Sequence, residues 1–357
     1  MSEIFPQRLH QARVMAKMSL RELSAAMGGL VSYAAISKYE KGEMMPGGEV
    51  MAALCAALEQ PADFFFRSFR VELDGINFRK RVRLSAGEEN SIRERARDFF
   101  ERYGEIEQLL GAELQYEHLA ASEFDVRDLK GAERAAKKLR EEWNLGDGPL
   151  RNVHELLELH GIKVHEAQTD DEAFDGFSGL AAGKPVVVIA RWLNANLPRK
   201  RMTEFHELAH IVLRFPPDMP KKEQEKLVNR FAGAFMLPEV PFGKMFGETR
   251  GSVSLGELIA MKAFFGASIM AIMKRAEQLG MISHPVYERF CIVASKQHWR
   301  SDGEPGNEKY RGNESHGRFR QLVFRAVAEG VISSSRGAAF LQTDLESFRN
   351  DFQQLFA

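Results

Sequence analysis

Residues 203–213 read TEFHELAHIVL, and His206, Glu207 and His210 have the types and spacing of a metal-dependent hydrolytic centre. On a helix the two histidines stand one turn apart, about 6 Å along the axis and on nearly one face, so both imidazoles reach one cation while Glu207 sits about 100° around. Zinc with an open position suits this arrangement. Its bound water becomes acidic near neutral pH, and a nearby carboxylate accepts the proton as that water attacks a peptide carbonyl. Ala209, Ile211, Val212 and Leu213 bury the rest of the helix, where two histidines without metal or partner would be costly. No histidine follows a few residues downstream, as the longer metzincin pattern requires, so a third ligand must come from another element.

The elements that must position this helix are legible nearby. The helix begins near Arg199 and must stop by Pro216 and Pro217, which leaves the histidines in its middle. Upstream, IKVHEA after Gly161 reads as a short strand, FDGFSG as an extended piece, and Val186 to Ala190 as the clearest strand in the chain, after a glycine and lysine turn at 183 and 184. A small sheet packed on helices is expected. Downstream, KKEQEKLVNRFAGAFMLP reads as a helix with Glu225 and Asn229 four apart on one face and Leu227, Phe231, Phe235 and Leu237 on the core face.

The combination of Arg201, HELAH, a glutamate four before Asn229, and FAGAFMLP resembles the ImmA/IrrE family of zinc metallopeptidases over roughly residues 130–245. Arg201, His206, Glu207, His210, Glu225, Asn229, Phe231, Ala232, Leu237 and Pro238 carry the match. The resemblance implies a zincin-like domain with zinc held by His206, His210 and Glu225 and with Glu207 as general base. Glu223 is the rival third ligand, with Asp218 or His298 behind it. Met202, Glu204 and Phe205 depart from the family's aromatic, aliphatic and alanine residues and touch packing more than chemistry.

The first 65 residues divide into short helices. PQRLHQARVMAK has apolar positions at helical spacing, Ser19 and Glu22 form a capping box, Ser32 caps YAAISKYE, Gly42 ends it, and Pro46 precedes EVMAALCAALE. This order resembles the XRE-type helix-turn-helix family over about residues 6–65, with Ile36, Ser37, Glu40 and Gly42 matching its usual ending. The resemblance places the third helix in a DNA major groove, with Tyr33, Ala34 and Lys38 near base edges and Ser32 and Ser37 near phosphates. Tyr33 and Ala34 stand where members often carry glutamine or arginine, so base readout rests on Lys38 and DNA shape. The basic run FRKRVR, 78–83, offers a phosphate contact from Arg81 or is a solvated linker.

Ser85 and Glu88 read as another capping box opening one long amphipathic helix, striped by Ile92, Ala96, Phe99, Tyr103, Ile106 and Leu110. The stripe packs on the chain's own next domain or forms a homodimer seam, which would suit a palindromic operator. Past 245, Ser254 with Glu257 and then Ser268 cap two Met- and Phe-rich core helices. Residues 298–318 read as a loop in which His298, Tyr310 and His316 are candidate oxyanion donors without support from spacing, and a helical cap follows.

The expected fold is mainly α with a small β-sheet (α+β), in four parts: a four- to five-helix DNA-binding domain over 1–68, a linker and long helix over 69–124, the metallopeptidase domain over 125–245, and a helical region over 246–357. With 44% hydrophobic and 28% charged residues the chain is globular, and its net charge of −1 gives no general attraction to nucleic acid. Cys55 and Cys291 exclude a disulfide framework and a thiolate zinc cluster, so metal ligands must be nitrogen and oxygen. No apolar run approaches the roughly 18 residues of a membrane span and the start lacks a signal-peptide layout, so the expected location is the cytoplasm, with no membrane partner. Together these readings anticipate a DNA-associated regulatory zinc metalloprotease that binds a double-stranded operator and cleaves a partner helix-turn-helix repressor or antitoxin. The alternative is a transcription regulator whose peptidase-like domain is a sensor or zinc-stapled scaffold.

Overall fold

The computed structural model describes residues 4–354 apart from 69–70, 81–83, 118, 120–121, 170, 300–302, 311, 313 and 315–316, and at 77–80 it describes the backbone. The expected class holds: mostly helices with one four-stranded sheet.

The head comprises α1 (Ile4–Met15), α2 (Leu20–Ala26), α3 (Tyr33–Glu40) and α4 (Gly48–Leu58), closed by a 3-10 turn at Ala62–Phe66. Ser19 and Glu22 form the expected capping box, and Ser32 Oγ accepts from the Ala35 N–H at 3.2 Å. Phe5, Leu9, Leu23, Ile36, Tyr39, Leu54, Leu58 and Phe65 form its own core. A strand that the sequence did not announce follows, β1 (Leu73–Lys80), and then α5 (Ala86–Leu110).

The second half of the fold is α6 (Leu129–Glu142), α7 (Val153–Leu159), β2 (Lys163–Ala167), β3 (Phe174–Ala181), β4 (Lys184–Ala190), α8 (Leu197–Val212) and α9 (Lys221–Met236). Strand order is β1-β3-β4-β2, with β3 antiparallel to both neighbours and β2 parallel to β4. Val187 and Ile189 face the core shared with Phe205, Leu208, Phe231 and Phe235 of α8 and α9, while Val186 and Val188 face Ile92, Ala96 and Phe100 of α5. Burial on both faces explains why β4 is an apolar run rather than an alternating strand.

α10 (Glu239–Phe246), α11 (Leu255–Phe265) and α12 (Ile269–Gln278) continue the core around the histidine helix through Ile282, and α13 (His284–Lys296) packs beside it. α14 (Arg318–Ala328), α15 (Ser334–Leu341) and α16 (Leu345–Gln354) pack on the C-terminal half of α5. No single helix among the described residues is long and apolar enough to cross a membrane. α11 and α12 pass together on length and composition but bend by 97°, with Leu258, Phe265, Ile269 and Ile272 in the core.

α5 ties these parts together, and it decides between two readings of its stripe and corrects its capping box. Ile92 and Ala96 pack on the sheet while Tyr103 and Ile106 pack on the C-terminal helices, so the stripe is consumed within the chain and leaves no seam for a second copy on that face. The capping box forms by half. Ser85 Oγ accepts from the Glu88 N–H at 3.1 Å, but the Glu88 carboxylate turns to Thr169, whose hydroxyl donates at 2.8 Å, and to Lys17 of the head. Polar residues of α5 also fasten the head: Glu101 to buried Arg8 at 2.7 Å, Asp98 to Arg67, and Ser91 Oγ donating to the Met15 carbonyl at 2.8 Å. Ion pairs this deeply buried are expensive to break by removing one partner.

Candidate metal centre

α8 is built to hold its position. Asn196 caps it, accepting from the Arg199 N–H at 3.3 Å, and Pro198 sits in the first turn, where its missing N–H costs nothing. The helix ends at Val212, one turn before Pro216, because Arg214 leaves it to pair with the segment before α6: the Arg214 N–H donates to Phe124 and its carbonyl accepts from Val126, both at 2.8 Å. His206 is then buried at 1% exposure and His210 lies nearer the surface at 17%.

Three donor groups converge. His206 Nε2 and His210 Nε2 are 3.1 Å apart, and each lies 3.3 Å from one oxygen of Glu225, which reaches over from the second turn of α9. Among the described residues this is the group whose nitrogen and oxygen donors lie close enough together to share a metal ion. The rivals go elsewhere: Glu223 pairs with Lys226 at 2.7 Å, and neither Asp218 nor His298 joins the group.

The surroundings prepare the same donors. His206 Nδ1 lies 3.2 Å from Asn229 Oδ1, while Asn229 Nδ2 donates to the Glu225 carbonyl at 2.7 Å. That amide orientation makes Oδ1 an acceptor, places the imidazole proton on Nδ1, and leaves the Nε2 lone pair free. The His206 and then the His210 imidazole beside it hold the Glu225 carboxyl below the usual carboxylate range, so it is anionic. Two imidazole nitrogens and one carboxylate, preoriented within contact distance, form a donor set that fits zinc.

Glu207 is fully buried and stands apart from that set. Its Oε2 accepts a 2.8 Å hydrogen bond from Ser178 of β3, and its Oε1 has no hydrogen-bond partner. Ser178 escaped the sequence reading. The signal was available in the strand alternation, which sets a hydroxyl opposite Val187 on the face turned to the histidine helix.

Other motif residues serve the frame. The guanidinium of Arg201, fully buried, pairs with Glu314 and donates to Tyr310 Oη and the Leu150 carbonyl, both at 2.6 Å. Tyr310 is thus engaged with Arg201 rather than offered as an oxyanion donor, and burial pushes its hydroxyl up to about 12. Lys200 donates to Glu166 at 2.5 Å and to the Glu314 carbonyl at 2.8 Å. Glu204 lies 3.5 Å from His154, both fully buried. His316 lies outside the described residues.

On the head, Ser32, Tyr33, Ala34 and Lys38 are exposed on α3 and Ser37 is half-buried, whereas Ile36 and Tyr39 fill the core. The Arg21 guanidinium sits 5.3 Å over the Tyr33 ring. Glu40 is structural: Arg13 binds both its oxygens, Nε at 2.6 Å and Nη2 at 2.8 Å. Arg81 lies outside the described residues.

Two stretches of the chain match known families. Residues 9–65 match the family described as Helix-turn-helix, and residues 157–277 match the one described as IrrE N-terminal-like domain, in the fused order the motifs indicate. No curated protein and no solved structure matches the chain.

Proposed function

We propose that this chain, a helix-turn-helix head joined to a metallopeptidase-type domain of the IrrE kind, is a cytoplasmic DNA-associated regulator that acts as a zinc endopeptidase, cutting a partner helix-turn-helix repressor or antitoxin. The observation that carries the enzymatic part is Glu207. A zinc-stapled scaffold needs ligands alone, yet a buried carboxylate with one oxygen pinned and the other without a partner stands beside them.

His206, His210 and Glu225 would hold zinc, which supplies a Lewis acid that polarises a peptide carbonyl and acidifies a water. Ser178 fixes Glu207 through Oε2, so proton transfer falls to Oε1. The carboxyl takes the proton there and returns it to the amine of the departing fragment. Asn229 keeps His206 in the ligating tautomer. The half-exposed Glu225 marks the side on which the centre meets solvent. On the head, Tyr33, Ala34 and Lys38 face a major groove, with Ser32 and Ser37 toward phosphates and Arg81 as a further phosphate contact.

The test is to incubate zinc-loaded protein with purified helix-turn-helix regulators encoded beside its gene and to look for one cut by intact-mass spectrometry. A single cut abolished by Glu207→Gln supports the reading. Operator binding with no cut in any partner would leave a transcription regulator with a non-proteolytic peptidase fold.

A further inference from the structure

β3 is the strand that touches the catalytic carboxylate, through Ser178, and its other edge is taken by β1. Residue 77 of β1 lies directly across from Ser178. β1 comes from the connection between the head and α5, far upstream of the rest of the sheet. Without it the sheet would end at β3 and present a row of outward N–H and C=O groups beside Glu207, an edge to which an extended polypeptide adds as a further strand.

β1 fits this edge closely but irregularly. A Cβ on Gly179 would lie 2.9 Å from the Asp74 carbonyl, so the backbones are flush there. Yet the pairing shifts register twice, between Asp74 and Asn77 and between Arg79 and Lys80, and Gly75 has φ +63°, whereas β2 and β3 pair with β4 without a shift. The near end of the linker is fastened to the head and to α5. Arg8 of α1 donates to the carbonyls of Arg67 at 2.8 Å and Ser68 at 3.0 Å, and Arg97 donates to that of Val71 at 3.1 Å.

We infer that the outer edge of β3, residues 174–181, is the docking surface for an extended segment of a protein substrate, and that residues 73–80 are a tethered competitor which must leave for the substrate to dock. The purpose of docking rests on the peptidase reading; the surface itself does not. Because the linker is tied to α1, the competitor's release is coupled to the position of the DNA-binding head.

The experiment locks the strand. Asp74 and Leu180 are Cα partners across β1 and β3, both exposed, and directly opposed residues of an antiparallel pair suit a disulfide. Asp74→Cys with Leu180→Cys is made in a Glu207→Gln background, so that binding is read without turnover. The disulfide is mapped by mass spectrometry, and circular dichroism and zinc content are matched to the parent. Binding of fluorescein-labelled unfolded casein is followed by anisotropy in oxidised and reduced protein. Reduction is expected to raise affinity at least tenfold. Gly75→Val, which meets no side chain but strains the bulge at positive φ, is expected to raise affinity severalfold without any cross-link. Equal affinity of the oxidised and reduced forms overturns the inference, as does absence of binding in both. A cut within residues 71–85 of the zinc-loaded wild type overturns it too, by making the linker a substrate. A clear difference in binding with no cleavage by any form leaves the docking surface standing and removes the peptidase reading.

Discussion

Ser178 Oγ donates to only one oxygen of Glu207, at 2.8 Å, which leaves the two oxygens of a fully buried carboxylate in different environments. A strand and a helix together leave Oε1 without a hydrogen bond while Oε2 is held. Removing the hydroxyl with Ser178→Ala frees the carboxylate to rotate. Hydrogen bonds to charged groups contribute about 1.5–3 kcal/mol, so kcat is expected to fall about 10- to 100-fold. KM and zinc content should stay as in the wild type, and Ser178→Thr should recover most of the loss. Steady-state kinetics on a cleaved partner separate this positioning role from a packing role, which would lower thermal stability and leave kcat alone.

Base and ligand should fail differently. Glu207→Gln is expected to retain zinc while turnover drops about 10²- to 10⁴-fold, because a general base is lost and the donors are not. Glu225→Gln and His210→Ala should instead lose zinc, as an amide or a methyl replaces a ligand. Elemental analysis beside cleavage on the same preparations reads both. Full zinc in Glu225→Gln would return the third-ligand role to Glu223.

Asn229→Leu removes the acceptor that sets the His206 tautomer and leaves all three ligands in place. Loss of such an outer partner weakens metal affinity about 10- to 100-fold. Zinc competition with a fluorescent chelator should show that drop, together with an unchanged circular dichroism spectrum.

Asp98 sets an acid limit on the junction between head and α5. Burial, the largest influence, pushes its pKa up, but Arg102 and Arg67 outweigh it and the net shift is downward. A folded pKa below the unfolded value of about 3.9 means that the contribution is fully present above that value and is lost as pH falls through the folded one. Thermal midpoints should therefore drop steeply below about pH 4 in the wild type and less steeply in Asp98→Asn. The variant itself should already be less stable by about 3–5 kcal/mol at pH 7, since it leaves buried arginines without their anion.

Lys38→Ala should relax base preference by about 1–3 kcal/mol if the ammonium reaches a base edge, whereas Arg81→Ala should weaken binding to every sequence and flatten the salt slope by about one. Titrations on matched and scrambled operators at several salt concentrations measure both.

Much of this was legible because the signals are local. Capping residues fixed the starts of α2, α3, α11 and α12, and the HELAH spacing with Glu225 four before Asn229 placed the donors that α8 and α9 bring together. β1 was hard to read: LDGINFRK alternates only in two short pieces, 73–74 and 76–79, which fall out of phase across Gly75, and the edge that pairs it, on β3, comes about a hundred residues later. Glu88 reads equally well as a capping residue, and only Lys17 and Thr169, distant in sequence, divert it. The burial of Arg201 against Glu314 runs against what charge implies in a sequence and is set by three-dimensional packing.

The Arg201–Glu314 pair also sets a clock. The two residues are 113 positions apart, and at about 5–20 residues per second the guanidinium of α8 waits roughly 6 to 23 s during synthesis for its counter-ion. Until then that guanidinium lacks the carboxylate it pairs with in the folded chain, and α8 cannot settle into final packing. A nascent chain whose helix-turn-helix head has already closed on its own core therefore still lacks a finished frame around the candidate metal centre, and the donor helix settles only when residue 314 has emerged.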